Sequence, residues 1–403
     1  FNGGSSSLTY KLFEAGESGD IRERGWGKAH RVGVKGIKPS YIESQFNGKW
    51  VINQTPIPSH VEAAQLAAES MNGSQAKIDY IGHRFVHGGT LFRESAYIDE
   101  SNLDKLESCS ELAPLHNPIS LSVIKKSMEI FPKAKQFAVF DSAFHSRIPV
   151  CAHTYALPRR IVDKYAFRKY GFHGLSYSYV TEEVPKFLGA DSSDFNMIAC
   201  HLGTGGASIS AIQNGRSIDT SMGFSPLSGL IMSTRAGDVD PLLALDLMKE
   251  KGYSPEMLNE LLNKKSGLLG LSGFSSDIND IVEKMKDPEH RERAELAFSM
   301  YIHRLKRFVG GYVLILGGKV DALVFTDDIG VRSPVVREAV CKGMEWAGVF
   351  LDIEVNSKAH GPEPALLSSS GSKVSVVAMP TEEEYVICRE GLQMIGEVNE
   401  SIR

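Results

Sequence analysis

Three segments of the sequence hold cationic side chains close to glycines. They read GHRFVHGG around Arg84, KYGFHG around His173 and STRAGDVDP around Arg235, and each is predicted to be a loop. Preorganised guanidinium and imidazole groups stabilise the negative charge that spreads over the equatorial oxygens of a phosphoryl group during its transfer. The pattern therefore predicts phosphoryl-transfer chemistry, although a single arginine is more commonly a partner in a surface ion pair. The flanking glycines weigh against that alternative for Arg84 and His173.

Two glycine-rich segments resemble each other at the start and in the middle of the chain. They read FNGGSSSLTYK from Phe1 and CHLGTGGASIS from Cys200, and each predicts a strand, a tight glycine turn and a second strand. A glycine turn lets successive backbone N–H groups approach a phosphate, although either segment alone fits an ordinary β-turn equally well. Their matching positions predict two similar halves.

The composition excludes several classes of protein. Of 403 residues, 42% are hydrophobic and 23% are charged, which is typical of a globular chain and not of a disordered or fibrous one. The net charge of −5 argues against nucleic-acid and membrane partners, and no apolar run is long enough for a membrane-spanning helix. The five cysteines are scattered without a C-x-x-C pair. Neither a disulfide framework nor a zinc site is indicated, and a reducing, cytoplasmic location is expected.

Short apolar runs alternate with amphipathic stretches, which predicts an α/β fold. The predicted strands are 77–81, 136–140, 197–201, 207–212 and 322–325. Helices are predicted from the capping box at Ser59 to about Met71, over part of 280–308, from Ser333 to about Trp346, and after Thr381. The P-loop, dinucleotide-binding, H-E-x-x-H and G-x-S-x-G motifs are absent from the sequence.

Longer strings indicate a relationship to a known family. NGGSSS begins at Asn2, HRFVHGG at His83, LAPLHNP at Leu112, FDSAFH at Phe140, YGFHG at Tyr170, HLGTGG at His201, TRAGDVDP at Thr234 and SGLLG at Ser266. In these strings and their order, the chain closely resembles the acetate kinase family, within the superfamily of acetate and sugar kinases, heat-shock proteins and actin. The matches run nearly from end to end.

The resemblance implies an α/β fold of two duplicated actin-like, ribonuclease H-like domains with mixed central sheets and an active cleft between them. The N-terminal domain would comprise 1–145 and a returning helix at about 384–403. The C-terminal domain would comprise about 146–383 and carry the donor side and the dimer interface. Closure of the cleft on substrates and a homodimer are also implied.

For the activity, the resemblance implies reversible, direct in-line transfer of a phosphoryl group between ATP and acetate, giving ADP and acetyl phosphate. Arg84 and Arg235 match the arginines that clamp the phosphoryl group and the carboxylate. His173 matches the histidine that donates to an equatorial oxygen. Asp141 matches the catalytic acid that orients the acceptor or the metal.

The metal and the acceptor pocket are implied in the same way. The metal would be Mg²⁺, with Mn²⁺ as an alternative, and Asn2 and Glu383 match the residues near it. Glu383 is equally well explained by a favourable place in the first turn of a helix. The apolar pocket for the acetate methyl group is matched by Val86, Leu115, Phe172 and Pro226.

The donor side carries the departures from the family pattern. The residues that match phosphate- or nucleotide-binding positions are Ser5, Ser7, Thr9, His201, Gly203, Thr204, Gly205, Gly206, Asp277, Ile278, Asn279, Asp328, Ile329 and Gly330. Thr9, Thr204 and Ser233 replace Lys, Asn and Gly of the family, DIN at 277–279 replaces DFR, and TDDIG at 326–330 replaces TAGIG. An aspartate at 328 adds bulk and negative charge beside an anionic nucleotide.

Three functions stay open at this point. The first is an acetate kinase that uses Mg-ATP. The second is an acetate kinase with pyrophosphate or phosphate in place of the nucleotide, because some eukaryotic and protist members carry similar substitutions and use such a donor. The third is a non-enzymatic nucleotide switch or scaffold of the actin or chaperone type. The joint presence of Arg84, Asp141, His173 and Arg235 argues against the third.

Overall fold

The computed structural model describes residues 1–16, 20–34, 38–72 and 76–396. Contacts within the chain divide it into two compact units. Unit 1 comprises Phe1–Phe144 and resumes at Glu382, and unit 2 comprises His145–Thr381. The predicted returning segment at about 384–403 belongs to unit 1 as far as residue 396, and 397–403 lie outside the described residues.

The strands of unit 1 form two sheets within the described residues. The first sheet is antiparallel and contains, in spatial order, β1 (Asn2–Gly3), β2 (Ser7–Ala15), β3 (Ile21–His30), β4 (Tyr41–Phe46) and β5 (Lys49–Gln54). The second contains β6 (Tyr80–Phe85), β7 (Ala96–Tyr97) and β8 (Lys135–Phe140). In this sheet β6 is parallel to β8 and β7 is antiparallel to it.

The first part of unit 1 also contains α-helices, the first of which covers the antiparallel sheet. They are α1 (His60–Asn72), α2 (Glu100–Ser108) and α3 (Asn117–Ile130). α1 contacts α3 and the strands β2, β3 and β4. The core between them contains Leu8, Tyr10, Ala63, Ala67 and Val123, all at most 2% exposed. Small alanines on α1 let the helix approach the sheet closely.

Unit 2 contains a mixed sheet. Its strands are β9 (Asn196–Leu202), β10 (Ala207–Gln213), β11 (Arg216–Thr220), β12 (Ala322–Thr326), β13 (Ala365–Leu366) and β14 (Ser375–Ala378), in the order β11-β10-β9-β12-β14-β13. β9, β12 and β14 are parallel, and β10 is antiparallel to β9. Every residue of β9 and β12 is buried, as is typical of central parallel strands.

The helices of unit 2 surround this sheet. They are α4 (Val150–His153), α5 (Arg159–Tyr165), α6 (Gly174–Leu188), α7 (Pro241–Lys251), α8 (Pro255–Lys264), α9 (Gly267–Ser272), α10 (Ile278–Lys284), α11 (Arg291–Ile315), α12 (Asp327–Arg332), α13 (Pro334–Cys341) and α14 (Ile353–Lys358). α6 contacts β9 and β12, and α11 contacts β9 and β10. The last helix of the described residues is α15 (Glu383–Ile395), which belongs to unit 1 and packs on β6 and β8. Among the helices of the described ranges, none combines the length and the hydropathy that a bilayer crossing requires.

The predicted α/β fold with mixed sheets is confirmed, and both predicted glycine hairpins are present. β1 pairs antiparallel with β2, and β9 with β10, around their glycine turns. The strand predicted at 77–81 is displaced, because β6 runs from Tyr80 to Phe85. The prediction that Arg84 lies on a loop is therefore wrong: Arg84 and Gly82 both lie on β6, whereas Gly88 and Gly89 follow the strand.

The start of α1 agrees with the prediction, whereas one end of α13 and the start of α15 differ from it. α1 begins after Ser59, whose Oγ accepts a hydrogen bond from the Val61 N–H at 3.1 Å, as the capping signal predicted. α13 ends at Cys341 and not at Trp346, since Gly343 takes a φ of +80° that ends the regular backbone. α15 begins at Glu383, one residue later than a Thr381 cap would place it.

Candidate active site

Arg84 and Asp141 lie at the ends of two parallel strands. β6 pairs with β8 so that Phe85 is opposite Phe140, and the carboxyl ends of the two strands reach the same edge of the sheet. Both phenylalanines are buried, and Phe140 stacks on Phe92 with ring centres 4.6 Å apart. Arg84 is the last residue but one of β6, and Asp141 is the first residue after β8. The packed strand ends thus bring the two side chains together.

The Arg84 guanidinium donates to the Asp141 carboxylate from two of its nitrogens. Nη2 lies 2.6 Å from Oδ2, and Nε lies 3.1 Å from the same oxygen. Asp141 is fully buried and the Arg84 side chain is 17% exposed. A planar guanidinium held by a buried carboxylate has little freedom to rotate. Arg84 is therefore oriented by the protein alone.

Asn2, Glu383 and Glu384 join this pair in what we term the Arg84 cluster (Asn2, Arg84, Asp141, Glu383 and Glu384). Arg84 Nη1 donates to Asn2 Oδ1 at 3.0 Å and lies 3.3 Å from Glu383 Oε2. Asn2 Nδ2 donates to Glu383 at 2.9 Å and to Glu384 at 3.0 Å. The first turn of α15 thus brings two carboxylates to β1.

Negative charge exceeds positive charge in the Arg84 cluster. Burial alone would lower the pKa of Arg84, but the Asp141 and Glu383 carboxylates outweigh it and raise that pKa above its ordinary value. Burial raises the pKa of Glu384, and the neighbouring Glu383 raises it further. Carboxylate and amide oxygens with excess negative charge suit a hard divalent cation.

The Arg84 cluster fits magnesium only together with oxygen ligands from outside the chain. In the part of the chain that the structure describes, no three His, Cys, Asp or Glu side chains converge as a complete ligand set would. The predicted metal residues Asn2 and Glu383 do contact each other, and the Glu383 side chain is 13% exposed. Magnesium keeps waters and substrate phosphates as ligands, so one or two protein oxygens are sufficient.

In unit 2, the glycine hairpin between β9 and β10 carries a second set of predicted residues. The Gly203 N–H donates to the Gly206 carbonyl at 3.0 Å, which closes the turn, and Thr204 at its tip is exposed. A methyl group on Gly206 would lie 3.4 Å from both His173 Nε2 and Arg235 Nη1. The two side chains therefore face the hairpin backbone at close range.

His173 is held in a strained backbone conformation just before α6. Its φ of +59° is in the left-handed region that few residues other than glycine adopt. Its Nδ1 lies 2.8 Å from Ser208 Oγ, and that oxygen lies 2.6 Å from the Tyr177 hydroxyl. The ring stacks on His201 with ring centres 4.0 Å apart. These contacts fix the direction of Nε2.

Arg235 differs from Arg84 in its electrostatic surroundings. It lies in the irregular segment 221–240 between β11 and α7. Burial lowers the pKa of Arg235, whereas neighbouring carboxylates raise that of Arg84. A guanidinium that has lost water through burial gains free energy when an anion binds it. Arg235 is thus well suited to direct contact with a phosphate or carboxylate.

Asp327 is a charged residue of this region to which the sequence, although it showed the TDDIG departure, assigned no role. Its Oδ2 lies 3.0 Å from His201 Nε2, and His201 Nδ1 lies 2.8 Å from Ser176 Oγ. The sequence assigned the neighbouring Asp328 to the donor side, and Asp328 is exposed. We term the hairpin 203–206 with His173, His201, Ser208, Arg235 and Asp327 the His173 cluster.

Further residues of both clusters were missed by the sequence. Ser208 and Tyr177 carry no motif, because hydroxyl side chains occur throughout strands and helices. Glu384 had a signal, since it stands in a run of three acids. Two of the departures from the family pattern, Ser233 and Thr204, are in contact. Ser233 Oγ donates to the Thr204 carbonyl at 2.6 Å, so Ser233 helps to hold the hairpin turn on which Thr204 lies.

The residues predicted for the acceptor pocket differ in exposure. Val86 and Phe172 are 5% and 1% exposed, Pro226 is half-buried, and Leu115 is 46% exposed. Val86 and Leu115 belong to unit 1, and Phe172 and Pro226 to unit 2.

The remaining donor residues fall into two groups. Ser5, Ser7 and Thr9 lie in the β1–β2 hairpin of unit 1, whereas Gly205, Asp277, Ile278, Asn279, Ile329 and Gly330 lie in unit 2. Asp277 caps α10 by accepting from the Asn279 N–H at 2.8 Å, and Ile278 is 1% exposed in the core. These two residues therefore have structural roles whether or not they also contact a ligand.

Comparison with known proteins places these clusters in a family context. The Acetokinase family matches residues 1–389. The acetate kinase of Bacillus subtilis (strain 168) is 42% identical over 98% of both chains, and that of Dictyoglomus turgidum is 41% identical over 98% of this chain and 97% of its own. Among solved structures, the acetate kinase of Entamoeba histolytica has a TM-score of 0.87 at 42% identity over 98% of both chains. A propionate kinase of Francisella tularensis has a TM-score of 0.86 at 34% identity over 96% of this chain and 97% of its own. These likenesses confirm the predicted duplicated actin-like fold, which is that of acetate kinases.

Proposed function

Because this chain belongs to the acetokinase family, we propose that it is an acetate kinase, which transfers a phosphoryl group between acetate and a phosphate donor. The observation that carries the proposal is the Arg84–Asp141 pair, with Nη2 and Oδ2 2.6 Å apart at the edge of a sheet. A guanidinium oriented in this way by a buried carboxylate is what recognition of a small carboxylate or a phosphoryl oxygen needs.

The residues take the following roles in this reaction. An acetate oxygen attacks phosphorus as the bond to the donor oxygen breaks in line with it, so the chain need not supply a nucleophile. Arg84 and Arg235 clamp the transferring group and the carboxylate, and His173 donates from Nε2 to an equatorial oxygen. Asp141 fixes the direction of Arg84. The main contribution of the protein is orientation and preorganised charge.

Magnesium is the cofactor we propose, with manganese as a substitute. Asn2 and Glu383 would hold it through hard oxygen atoms together with phosphate oxygens of the donor. When bound, the ion neutralises charge on the phosphates. The negative excess of the Arg84 cluster supports this assignment.

The donor we propose first is ATP. Inorganic pyrophosphate, formed in the reverse direction from acetyl phosphate and phosphate, is a second candidate. It is favoured by the Asp327 carboxylate beside the glycine hairpin and by the exposed Asp328 that follows it, since both add negative charge where a nucleotide would lie. Pyrophosphate is smaller than a nucleotide and would contact less of the surface that carries Asp327 and Asp328.

A single assay tests the function and the donor together. The purified chain is incubated with acetyl phosphate and ADP or phosphate, and with acetate and ATP or pyrophosphate, each with magnesium. Turnover with ADP and ATP supports the first donor, and turnover with phosphate and pyrophosphate alone replaces it by the second. No turnover with any pair contradicts the proposed function, provided that the protein is folded by circular dichroism.

A cytoplasmic homodimer is part of the same proposal. α7 contributes no buried residue, and Leu242, Leu243 and Leu245 on it are 59–66% exposed. Exposed leucines at this density are typical of an interface. Light scattering after size exclusion should give twice the mass of one chain, and Leu243→Glu with Leu245→Glu should lower it toward 44.2 kDa. A monomeric wild type would contradict the proposal.

A further inference from the structure

Asp327 places a carboxylate directly on the glycine hairpin. A methyl group on Gly203 would lie 2.1 Å from Asp327 Oδ2, so the carboxylate occupies space that only a glycine leaves open. The backbone of Asp327 has a φ of +63°, a conformation that aspartate tolerates better than most residues. The positive φ of Asp327 and the absence of a side chain on Gly203 therefore together determine where the carboxylate lies.

The same carboxylate engages His201. A carboxylate only accepts hydrogen bonds, so at 3.0 Å His201 Nε2 is the donor to Asp327 Oδ2. The other ring nitrogen, Nδ1, shares a hydrogen bond with Ser176 Oγ at 2.8 Å. Both nitrogens of His201 are thus engaged by the protein. While Asp327 holds it, His201 directs no ring N–H toward an arriving phosphate.

From these contacts we propose that Asp327 is a specificity-determining residue of the donor site. It favours a donor phosphate that is already complexed with a divalent cation and disfavours the bare polyphosphate anion. This inference rests on the proposed function, which assigns the hairpin to the donor. His173 and Arg235 face the same hairpin and attract phosphate in either form, so Asp327 sets the difference between the two forms.

The size of the effect follows from the charges. Two unit charges a few ångströms apart, at the effective dielectric constant of about 20 near a protein surface, interact strongly enough to change an affinity by at least about tenfold. A bare diphosphate group carries several negative charges, and a divalent cation cancels two of them. The penalty imposed by Asp327 is therefore large for the bare anion and small for the complex.

Pyrophosphate is a suitable probe, because it represents the diphosphate group of either candidate donor. Its affinity is measured by titration calorimetry with EDTA and again with excess magnesium, for the wild type and three variants. Asp327→Asn removes the charge and keeps an oxygen that accepts from His201. Asp327→Gly tolerates the positive φ and releases His201. Glu338→Gln removes an equal charge from an exposed position of α13 in the same unit and is the matched control.

We expect Asp327→Asn to bind metal-free pyrophosphate at least about tenfold more tightly than the wild type, and Asp327→Gly to bind it more tightly still. Glu338→Gln should stay within about threefold of the wild type. With magnesium, all four proteins should agree within about threefold.

An unchanged or weaker affinity of Asp327→Asn for the metal-free anion would overturn the inference, and so would an equal gain in Glu338→Gln. Equal gains in pyrophosphate affinity with and without magnesium would also overturn it, because Asp327 would then not distinguish the bare anion from the magnesium complex. The proposed function would fail differently, through the absence of acetyl phosphate turnover by the wild type with every donor.

Discussion

Arg84 Nη2 lies 2.6 Å from Asp141 Oδ2 in a pair whose carboxylate has no exposed surface. Arg235, the other arginine assigned to the reaction, is desolvated by burial, which lowers its pKa. Removing one member of a buried ion pair leaves an uncompensated charge, whereas removing a desolvated cation does not. Substitution of Arg84 should therefore lower the free energy of unfolding more than substitution of Arg235, even if both residues serve the same reaction.

Arg84→Ala should lose both activity and stability. We expect kcat for acetyl phosphate formation to fall at least about 100-fold, and the free energy of unfolding to fall by about 3–5 kcal/mol because Asp141 stays buried without its partner. Urea unfolding measures the second effect. Arg84→Ala with Asp141→Asn is the control, and it should recover part of the stability but none of the activity. Unchanged stability of the single variant would contradict the pairing.

Arg235→Ala should lose activity alone. The same fall in kcat of at least about 100-fold is expected, with the free energy of unfolding within about 1 kcal/mol of the wild type. The matched variant Arg235→Lys keeps the charge but not the planar fork, so it should recover only part of the activity. Near-normal kcat in Arg235→Ala would remove this residue from the proposed clamp.

Ser208→Ala should act through His173. Without Ser208 Oγ, which lies 2.8 Å from His173 Nδ1, the ring loses the contact that sets its tautomer and direction. We expect kcat to fall about tenfold while KM for acetate changes less than about twofold, since misplacing a donor affects the transition state most. Tyr177→Phe removes the hydroxyl that lies 2.6 Å from Ser208 Oγ and leaves the Ser208–His173 contact in place, so it should reduce kcat less. An equal or larger change in KM would point to a structural role instead.

The sequence predicted the fold class, the glycine hairpins and most strands, because these depend on local patterns of apolar residues and glycines. It placed Arg84 on a loop, since Gly82 within β6 and Gly88 and Gly89 after it give the same signal as glycines within a loop. It assigned Asp328 to the donor side and gave Asp327 no role, although both belong to the TDDIG departure. The carboxylate that lies beside His201 belongs to Asp327, which has a positive φ and lies against Gly203, and neither feature can be read from the sequence.

Acceptor length should be limited by the buried side chains of the predicted methyl pocket. One methylene in such a pocket is worth about 1–3 kcal/mol, so propionate should have a kcat/KM at least about tenfold below that of acetate. Val86→Ala removes volume from a residue that is 5% exposed and should raise the propionate-to-acetate ratio. Leu115→Ala, on a residue that is 46% exposed, is the control and should change the ratio less. A larger change of this ratio in Leu115→Ala than in Val86→Ala would contradict the role of Val86 as the wall that limits acceptor length.

Stability should fall in mild acid because of His145. Burial lowers the pKa of His145 to about 4 from its ordinary 6.5, and its Nε2 donates to the Phe172 carbonyl at 3.0 Å. Between these two values the unfolded chain binds a proton at this site that the folded chain does not. The free energy of unfolding therefore falls as the pH decreases through this window, by about 2 kcal/mol from this residue between pH 7 and pH 5. Urea unfolding of the wild type and of His145→Gln at both values measures it. The change in the free energy of unfolding between pH 7 and pH 5 should be smaller by that amount in His145→Gln. It should be the same as in the wild type in His360→Gln, which alters an exposed histidine. An equal pH response in His145→Gln and the wild type would show that the buried imidazole does not govern acid stability.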